Sequence, residues 1–220
     1  MSVGRLMMEN EDGISLRAFS SEVSGVWNIE GVVDKSLTRD DRNSGTVQLE
    51  PLGQIYQASW LTAANNRLGL MFATERCLFG GWGASHYRLS LFQLQEGGSL
   101  SEHWVLPTSW GNVSQEVVCP DLVEEFEGLY DVENFDAKTG RTRIHHISMH
   151  RNGEYYQLGS SQFPNIRGLG LRLGNWLVAN WCAARDFGVL AYELSGKEAH
   201  GSWLSAQNMY RNQEVWTKVG

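Results

Sequence analysis

The chain has 220 residues, a formal net charge of −7 and a pI of about 5.4. Hydrophobic residues make up 42% and charged residues 20%, a globular composition that excludes a mostly disordered protein. The acidic balance argues against a general nucleic-acid-binding protein, because such proteins need a basic surface to neutralise phosphates. No segment approaches the roughly 20 consecutive apolar residues of a membrane-spanning helix, so no membrane partner is expected.

Residues 1–22 are predicted to form a flexible N-terminal segment, and they contain no apolar run of signal-peptide length. The three cysteines, Cys77, Cys119 and Cys182, are widely spaced and form no C-x-x-C pair. This pattern indicates neither a disulfide framework nor a zinc site. A cytoplasmic location is the expectation that these features support.

Two copies of one unit make up the rest of the chain. Gly25-Val-Trp-Asn-Ile-Glu returns as Gly128-Leu-Tyr-Asp-Val-Glu, an offset of 103 residues, and Gln-Glu-Val at 115–117 returns at 213–215, an offset of 98. Five further matches keep the same order between these two. We therefore predict a first β repeat over 23–120, a linker over 121–127 and a second β repeat over 128–220, with both repeats in one structural domain.

Each repeat reads as a series of short strands joined by tight turns. Thr46-Val-Gln-Leu-Glu alternates apolar and polar residues, and a turn follows at Pro51-Leu-Gly. The second copy has the same hairpin with an Asn152-Gly153 turn. About six strands per repeat predict an all-β antiparallel meander. The two repeats then form either one pseudo-two-fold barrel of about twelve strands or two packed half-barrels, and the sequence leaves both open.

Glycines and aromatic residues recur with one rhythm over about 190 residues. In the second copy it runs Gly128-Leu-Tyr, Gly153-Glu-Tyr-Tyr, Leu169-Gly-Leu, Gly174-Asn-Trp-Leu, Tyr192-Glu-Leu and Gly201-Ser-Trp. This pattern resembles the tandem β-repeat domains of uncharacterised bacterial proteins, and in architecture it is similar to lipocalin-like and avidin-like barrels. The resemblance implies a tryptophan-lined ligand pocket and carries no catalytic signature. Because no biotin-binding residue can be matched, biotin is not the expected ligand.

The segment His145-His-Ile-Ser-Met-His150 is the most conspicuous candidate for metal binding. On a strand, His146 and His150 share one face about 13 Å apart, at roughly 3.3 Å per residue, which is too far for one ion. We therefore expect surface or rim histidines. The chain has no Gly-x-Ser-x-Gly elbow, and Cys182 lies in an apolar segment that predicts a buried side chain. No catalytic residue, metal ligand or cofactor is predicted.

Tryptophan carries the strongest functional signal, with 9 residues where average usage predicts roughly 3. Two pairs recur in both copies, and packing explains them: Trp82 with Trp181, and Trp104 with Trp203. Trp60, Trp110 and Trp176 have no tryptophan counterpart, which favours a specialised binding role. The predicted ligand-binding set joins these three to two aromatic and three polar residues: Tyr56, Tyr156, Arg67, Arg167 and His146.

These observations favour a non-enzymatic binding protein that holds an apolar or aromatic small molecule, or a peptide, in a barrel mouth or in the groove between the repeats. Carrier, immunity protein and peptide-binding accessory protein of a biosynthetic pathway all fit that description. The alternative is a cofactor-free cyclase or isomerase acting inside a barrel cavity, which requires a carboxylate or histidine of perturbed pKa. A homodimer through exposed aromatic residues is a third option.

Overall fold

The computed structural model describes residues 23–31, 44–62, 66–84, 86–119, 125–136 and 141–220. The segment 1–22 and most of the predicted linker 121–127 lie outside the described residues. Sixteen strands and one short 3₁₀ helix make up the regular structure of the described residues.

Eight strands lie in the first repeat: β1 (Gly25–Gly31), β2 (Gly45–Leu52), β3 (Ile55–Thr62), β4 (Asn66–Ala73), β5 (Cys77–Trp82), β6 (Tyr87–Leu94), β7 (Leu100–Val105) and β8 (Ser114–Cys119). The 3₁₀ helix η1 (Pro107–Ser109) lies between β7 and β8. The second repeat contributes β9 (Gly128–Asp136), β10 (Arg141–Asn152), β11 (Tyr155–Ser160), β12 (Arg167–Leu173), β13 (Trp176–Cys182), β14 (Gly188–Ser195), β15 (Glu198–Ser205) and β16 (Asn212–Lys218).

The count of eight strands per repeat exceeds the expected six because several strands lack the alternating pattern that marks a half-exposed strand. Strand β5 is an example. Its sequence, Cys77-Leu-Phe-Gly-Gly-Trp82, does not alternate apolar and polar residues, and the strand is buried at five of its six positions. A strand buried on both faces shows a continuous apolar run in place of alternation.

The strands form two antiparallel sheets. The first, in the order β1-β16-β15-β14-β5-β4-β3-β2, closes on itself and is called barrel 1. The second has the order β8-β7-β6-β13-β12-β11-β10-β9. Its edge strands β8 and β9 approach each other, so this sheet, called barrel 2, is nearly closed. The chain is therefore all-β and antiparallel, with two packed barrel-like halves, which is one of the two arrangements that the sequence predicts.

Each barrel contains strands from both repeats. Strands β1–β5 of the first repeat are completed by β14–β16 of the second, and β9–β13 are completed by β6–β8. Three strand pairs join the two repeats. Strand β1 pairs with β16, and the other two pairs are called the seams: β5 with β14, where Gly81 lies opposite Val189, and β6 with β13, where Leu89 lies opposite Asn180. Neither predicted arrangement included this exchange. Removing either repeat would open both barrels.

A shared apolar core lies between the two barrels. It is formed by outward-facing side chains of the seam strands and of their neighbours such as β12, among them Phe79, Leu169, Val178 and Val189, all buried. Strand β13 is buried at every position because one of its faces points into barrel 2 and the other into this shared core. The barrel interiors form two further apolar clusters, one in each barrel.

Candidate functional site

Aromatic side chains fill the interior of barrel 1. The ring of Trp60 lies 6.1 Å from that of Trp82 and 6.5 Å from that of Trp216, measured between centroids. Trp82 in turn contacts Trp203 at 5.9 Å, and Trp216 contacts Tyr192 at 4.3 Å. These tilted and edge-on contacts are the arrangements that aromatic rings prefer. The rings form one connected plug across the barrel.

The aromatic plug depends on glycines that face it. A Cβ atom on Gly188 would lie 2.1 Å from the Trp82 ring, and a Cβ atom on Gly69 would lie 2.7 Å from the Trp60 ring. Both separations are far inside van der Waals contact, so larger residues at these two positions would displace the indoles. The glycines therefore provide the space that the tryptophans occupy.

Barrel 2 carries different residues at the matching positions, as the strand registers show. Trp60 lies opposite Val47 in barrel 1, and Ser160 lies opposite Ile147 in barrel 2. Two residues occupy matching positions when the residues opposite them on the neighbouring strand are themselves matched between the repeats. By this criterion three glycines of barrel 1 correspond to larger polar residues of barrel 2: Gly188 to Arg88, Gly201 to Glu102, and Gly45 to His145. Compared with barrel 1, barrel 2 therefore has a serine in place of one indole and three additional polar side chains.

A cavity of about 330 Å³ opens at the mouth of barrel 2. Its walls are mainly apolar and include Trp104, Trp181, Ile147 and Phe163. The polar groups that reach it include three of the residues that distinguish barrel 2 from barrel 1: Arg88, His145 and Ser160. The cavity therefore lies where barrel 1 has its aromatic plug.

The connection between β7 and β8 forms one wall of this cavity, through Leu106, Pro107 and Thr108. Barrel 1 holds this connection in place. The backbone N–H of Gln54, in the β2–β3 turn, donates to the carbonyl of Gly111 at 2.9 Å, and the N–H of Val113 donates to Gln54 Oε1 at 2.9 Å. The wall is therefore anchored on the neighbouring barrel and not only on the strands that it joins.

A buried ion pair lies beside the cavity. Arg88 Nη2 donates to Glu102 Oε1 at 2.6 Å, and Arg88 Nε donates to the hydroxyl of Ser90 at 3.2 Å. The guanidinium carbon lies 4.4 Å from the centroid of Trp104, a cation–π contact. Glu102 is fully buried, whereas the Arg88 side chain keeps 24% of its surface exposed. The guanidinium therefore lies between the carboxylate and the cavity.

The matched glutamates Glu116 and Glu214 both accept hydrogen bonds from indoles. Trp104 Nε1 donates to Glu116 at 3.1 Å in barrel 2, and Trp216 Nε1 donates to Glu214 at 2.7 Å in barrel 1. The hydroxyl of Tyr192 also donates to Glu214. Burial and the neighbouring carboxylate hold the pKa of Tyr192 well above its usual value, so this hydroxyl stays protonated. These contacts give the glutamates a structural role in both barrels.

Burial affects the pKa of Glu102 and the pKa of His145, both in barrel 2. It raises the pKa of Glu102, and the Arg88 guanidinium opposes that shift by favouring the charged carboxylate. Burial lowers the pKa of His145 from its ordinary value near 6.5, although the carboxylate of Glu116 acts in the opposite direction. The imidazole of His145 is therefore neutral at pH 7, with one nitrogen able to donate and one able to accept.

Four of the eight residues predicted to bind a ligand are buried at separate places. Trp60 and Tyr56 lie inside barrel 1, and Tyr156 lies inside barrel 2. Trp176 lies in the shared core between the barrels, with its ring 5.8 Å from that of Phe79. These four side chains do not line one common pocket.

The other four lie at the surface or at a barrel rim. Trp110 follows η1 and is 78% exposed, and Arg167 and His146 are also exposed. Arg67 lies over the Trp82 ring at 5.0 Å and forms an ion pair of 3.6 Å with Asp186. The structure thus brings Arg67 and Trp60 together around Trp82 and leaves the rest of the set dispersed.

The predictions for the histidine segment and for Cys182 are confirmed. His146 and His150 are exposed and pair with carboxylates on β9 and just before it, Asp131 and Glu127 respectively. Cys182 is buried, with 2% of its surface exposed.

In the described ranges, no group of three or more His, Cys, Asp or Glu side chains is placed to hold a metal ion. The same ranges contain no helix long and apolar enough to cross a bilayer.

Arg88, Glu102 and Ser160 are not among the site residues predicted from the sequence. A signal for them was present in the alignment of the two copies, where each lies opposite a residue of very different size. That alignment, read for polar residues opposite glycines as well as for unmatched tryptophans, would have selected them.

Fold and cavity together define a duplicated, strand-exchanged all-β protein with one closed barrel filled by aromatic rings and one nearly closed barrel with a cavity at its mouth. Comparison of the chain with protein-family models, with curated proteins and with solved structures finds no match.

Proposed function

We propose that this protein binds an apolar small molecule in the mouth of barrel 2 and does not transform it. The observation that carries the proposal is the difference between two copies of one barrel. The interior of barrel 1 is filled by indoles, whereas barrel 2 has Ser160 at the position of Trp60 and a cavity of about 330 Å³. Packing alone would favour filling both interiors, because an empty apolar cavity is destabilising.

The size and lining of the cavity favour a small molecule over a peptide. Small-molecule sites usually enclose about 300–1,000 Å³ and combine apolar walls with a few polar groups, which matches barrel 2. Trp104 and Trp181 offer large apolar surfaces to such a ligand. The ligand-holding mode is that of lipocalin-like barrels, and a carrier or accessory protein in the cytoplasm is the role that we propose.

The second candidate is a cofactor-free isomerase or cyclase in the same cavity. The observation that favours it is His145, a cavity-lining imidazole that is neutral at pH 7 and can accept a proton from a bound substrate. Incubation of the protein with each ligand that binds, followed by mass spectrometry and chromatography, separates the two candidates. A new isomer formed by the wild-type protein and not by His145→Gln would establish the enzyme in place of the carrier.

The proposal is tested by titrating a library of uncharged aromatic compounds and following binding by calorimetry. Ser160→Trp places an indole where barrel 1 has Trp60, and it should abolish binding without unfolding the protein. Gln157→Trp adds an indole to an exposed position of the same strand and should leave binding unchanged. Equal affinities for wild type and Ser160→Trp would refute a site in barrel 2.

A further inference from the structure

Given the binding function proposed for barrel 2, the polar groups of the cavity determine the chemical class of the ligand. We propose that the ligand is uncharged and carries a carbonyl oxygen, as in a ketone, ester or amide, which accepts a hydrogen bond from Arg88. The apolar body of the ligand lies against Trp104 and Trp181, and the carbonyl points towards the ion pair of Arg88 with Glu102.

The geometry of Arg88 supplies the donor. Its hydrogen bonds and ion pairs with described residues use Nε and Nη2, which contact Ser90, Glu102 and Glu116. Nη1 makes no such contact with a described residue, and the side chain lines the cavity. A guanidinium carries donors only, so its remaining N–H groups need an acceptor. A ligand oxygen satisfies that requirement.

The charge of Arg88 is already balanced, which excludes an ionic ligand. Glu102 is fully buried and lies 2.6 Å from the guanidinium, and Glu116 lies 3.9 Å from it, so two carboxylates already face this one cation beside the cavity. A ligand carboxylate would bring another negative charge close to Glu102, and a ligand ammonium would bring a positive charge against Arg88. Either charge would lose its water without gaining an unpaired partner. A neutral carbonyl gains a charge-assisted hydrogen bond and avoids both penalties.

The ion pair is absent from barrel 1, where Gly188 and Gly201 occupy the positions of Arg88 and Glu102. The barrel fold therefore forms without this pair. A buried ion pair contributes little to stability, because desolvation offsets the attraction between the charges. Its presence only in the barrel that holds the cavity supports a role in ligand recognition.

Four probes with the same bicyclic aromatic body test this inference: 2-acetylnaphthalene, 2-ethylnaphthalene, 2-naphthoate and protonated 2-naphthylmethylamine. Their dissociation constants are measured at pH 7 with the full-length protein. We expect the ketone to bind roughly tenfold more tightly than the hydrocarbon, the value of one charge-assisted hydrogen bond, and both ions to bind more weakly than the ketone.

Two variants connect that preference to Arg88. The double variant Arg88→Met/Glu102→Leu removes the fully buried carboxylate together with its cation, and Glu116, which is 15% exposed, keeps its hydrogen bond from Trp104. It should bind ketone and hydrocarbon equally. Arg88→Lys keeps a cation next to Glu102 but lacks the Nη1 donors; it should also lose the preference and serves if the double variant does not fold. Arg67→Met, at the rim of barrel 1, is the matched control and should keep the wild-type preference.

The outcomes separate this inference from the binding function on which it rests. If all four probes bind wild type equally well and Ser160→Trp abolishes their binding, the site is in barrel 2 and the carbonyl preference is refuted. The carbonyl preference is also refuted if either of the two charged probes binds most tightly. If no probe binds wild type, or if Ser160→Trp binds as well as wild type, the proposed function fails as well.

Discussion

Trp60 and Ser160 occupy the same position in the two barrels, each directly opposite an apolar residue of the preceding strand, Val47 and Ile147 respectively. In barrel 1 the indole packs between Trp82 and Trp216 and closes the interior. In barrel 2 the serine hydroxyl lines a cavity. One substitution between two copies of a single fold thus accompanies the change from a filled barrel to an open one.

This relationship predicts that a cavity can be opened in barrel 1. Trp60→Ser removes an indole that is 93% buried, and the loss of a large buried aromatic side chain typically costs about 3–5 kcal/mol of unfolding free energy. We expect a destabilised but folded protein, measured by urea unfolding, that binds a second equivalent of an uncharged aromatic probe. A protein with unchanged stability would show that the aromatic plug does not hold barrel 1 together.

The glycines that face the plug should be intolerant of even one methyl group. Gly188→Ala would place a Cβ atom 2.1 Å from the Trp82 ring and 2.6 Å from the carbonyl oxygen of Leu204. Overpacking of this kind costs about 1–3 kcal/mol in unfolding free energy. The control is Gly159→Ala in barrel 2, where the new methyl group would meet only the Ser148 hydroxyl. Equal stabilities of the two variants would contradict the packing account of barrel 1.

Much of this architecture could be predicted from the sequence, because the duplication and the strand-turn rhythm are local features. The all-β fold and the paired barrel-like halves follow from them. The strand exchange could not be predicted, because the strand Tyr87–Leu94 has the same pattern whether it pairs within its own repeat or with Trp176–Cys182. That choice depends on contacts between residues far apart in the chain.

The candidate site, like the fold, could be predicted from the sequence only in part. The comparison of the two copies identified Trp60 as a tryptophan without a tryptophan counterpart and associated binding with it; that counterpart is Ser160. In the structure the cavity lies beside the serine. Arg88 and His145 were not predicted as binding residues, because their counterparts Gly188 and Gly45 are small and the prediction rested on aromatic residues. Only the three-dimensional pairing shows that these positions face one interior.

Strand exchange predicts that neither repeat folds alone. A fragment of residues 23–120 lacks β14–β16 and so cannot close barrel 1, and a fragment of residues 128–220 lacks β6–β8. Each fragment should show no cooperative thermal transition by circular dichroism. Co-expression of the two should give a one-to-one complex with the spectrum of the intact chain. Cooperative folding of one fragment by itself would contradict the exchanged topology.

Removal of Arg88 alone should be far more damaging than removal of the whole ion pair. Arg88→Met leaves Glu102 fully buried without its cation, and breaking a buried pair in this way costs about 3–5 kcal/mol. Arg88→Met/Glu102→Leu leaves no fully buried charge without its cation, because Glu116, the other carboxylate near Arg88, is 15% exposed; its unfolding free energy should therefore exceed that of the single variant. Urea unfolding of both variants at one pH gives the comparison. The reverse order would show that Glu102 is not held in a desolvated environment.

Glu102 should also make stability depend on pH, and the sign follows from its raised pKa. A carboxyl group whose pKa is higher in the folded state binds its proton more tightly there. Its contribution to stability is therefore greatest below the unfolded-state pKa, near 4.5, and falls as pH rises towards the folded-state pKa. Glu102→Gln, which cannot ionise, should lack this contribution in urea unfolding measured between about pH 4 and pH 7. An identical pH profile for wild type and variant would contradict the raised pKa.

The most direct test of the central claim, that barrel 2 is open to a ligand and barrel 1 is filled, uses the indole N–H signals of the protein in NMR spectra. The four informative tryptophans form matched pairs, Trp181 with Trp82 and Trp104 with Trp203, and each signal is assigned by its Trp→Phe variant. Titration with 2-acetylnaphthalene should shift the signals of Trp104 and Trp181 to saturation and leave those of Trp82 and Trp203 in place. Shifts at Trp82 and Trp203 without shifts at Trp104 and Trp181 would show that the filled barrel is the binding site and would contradict this account.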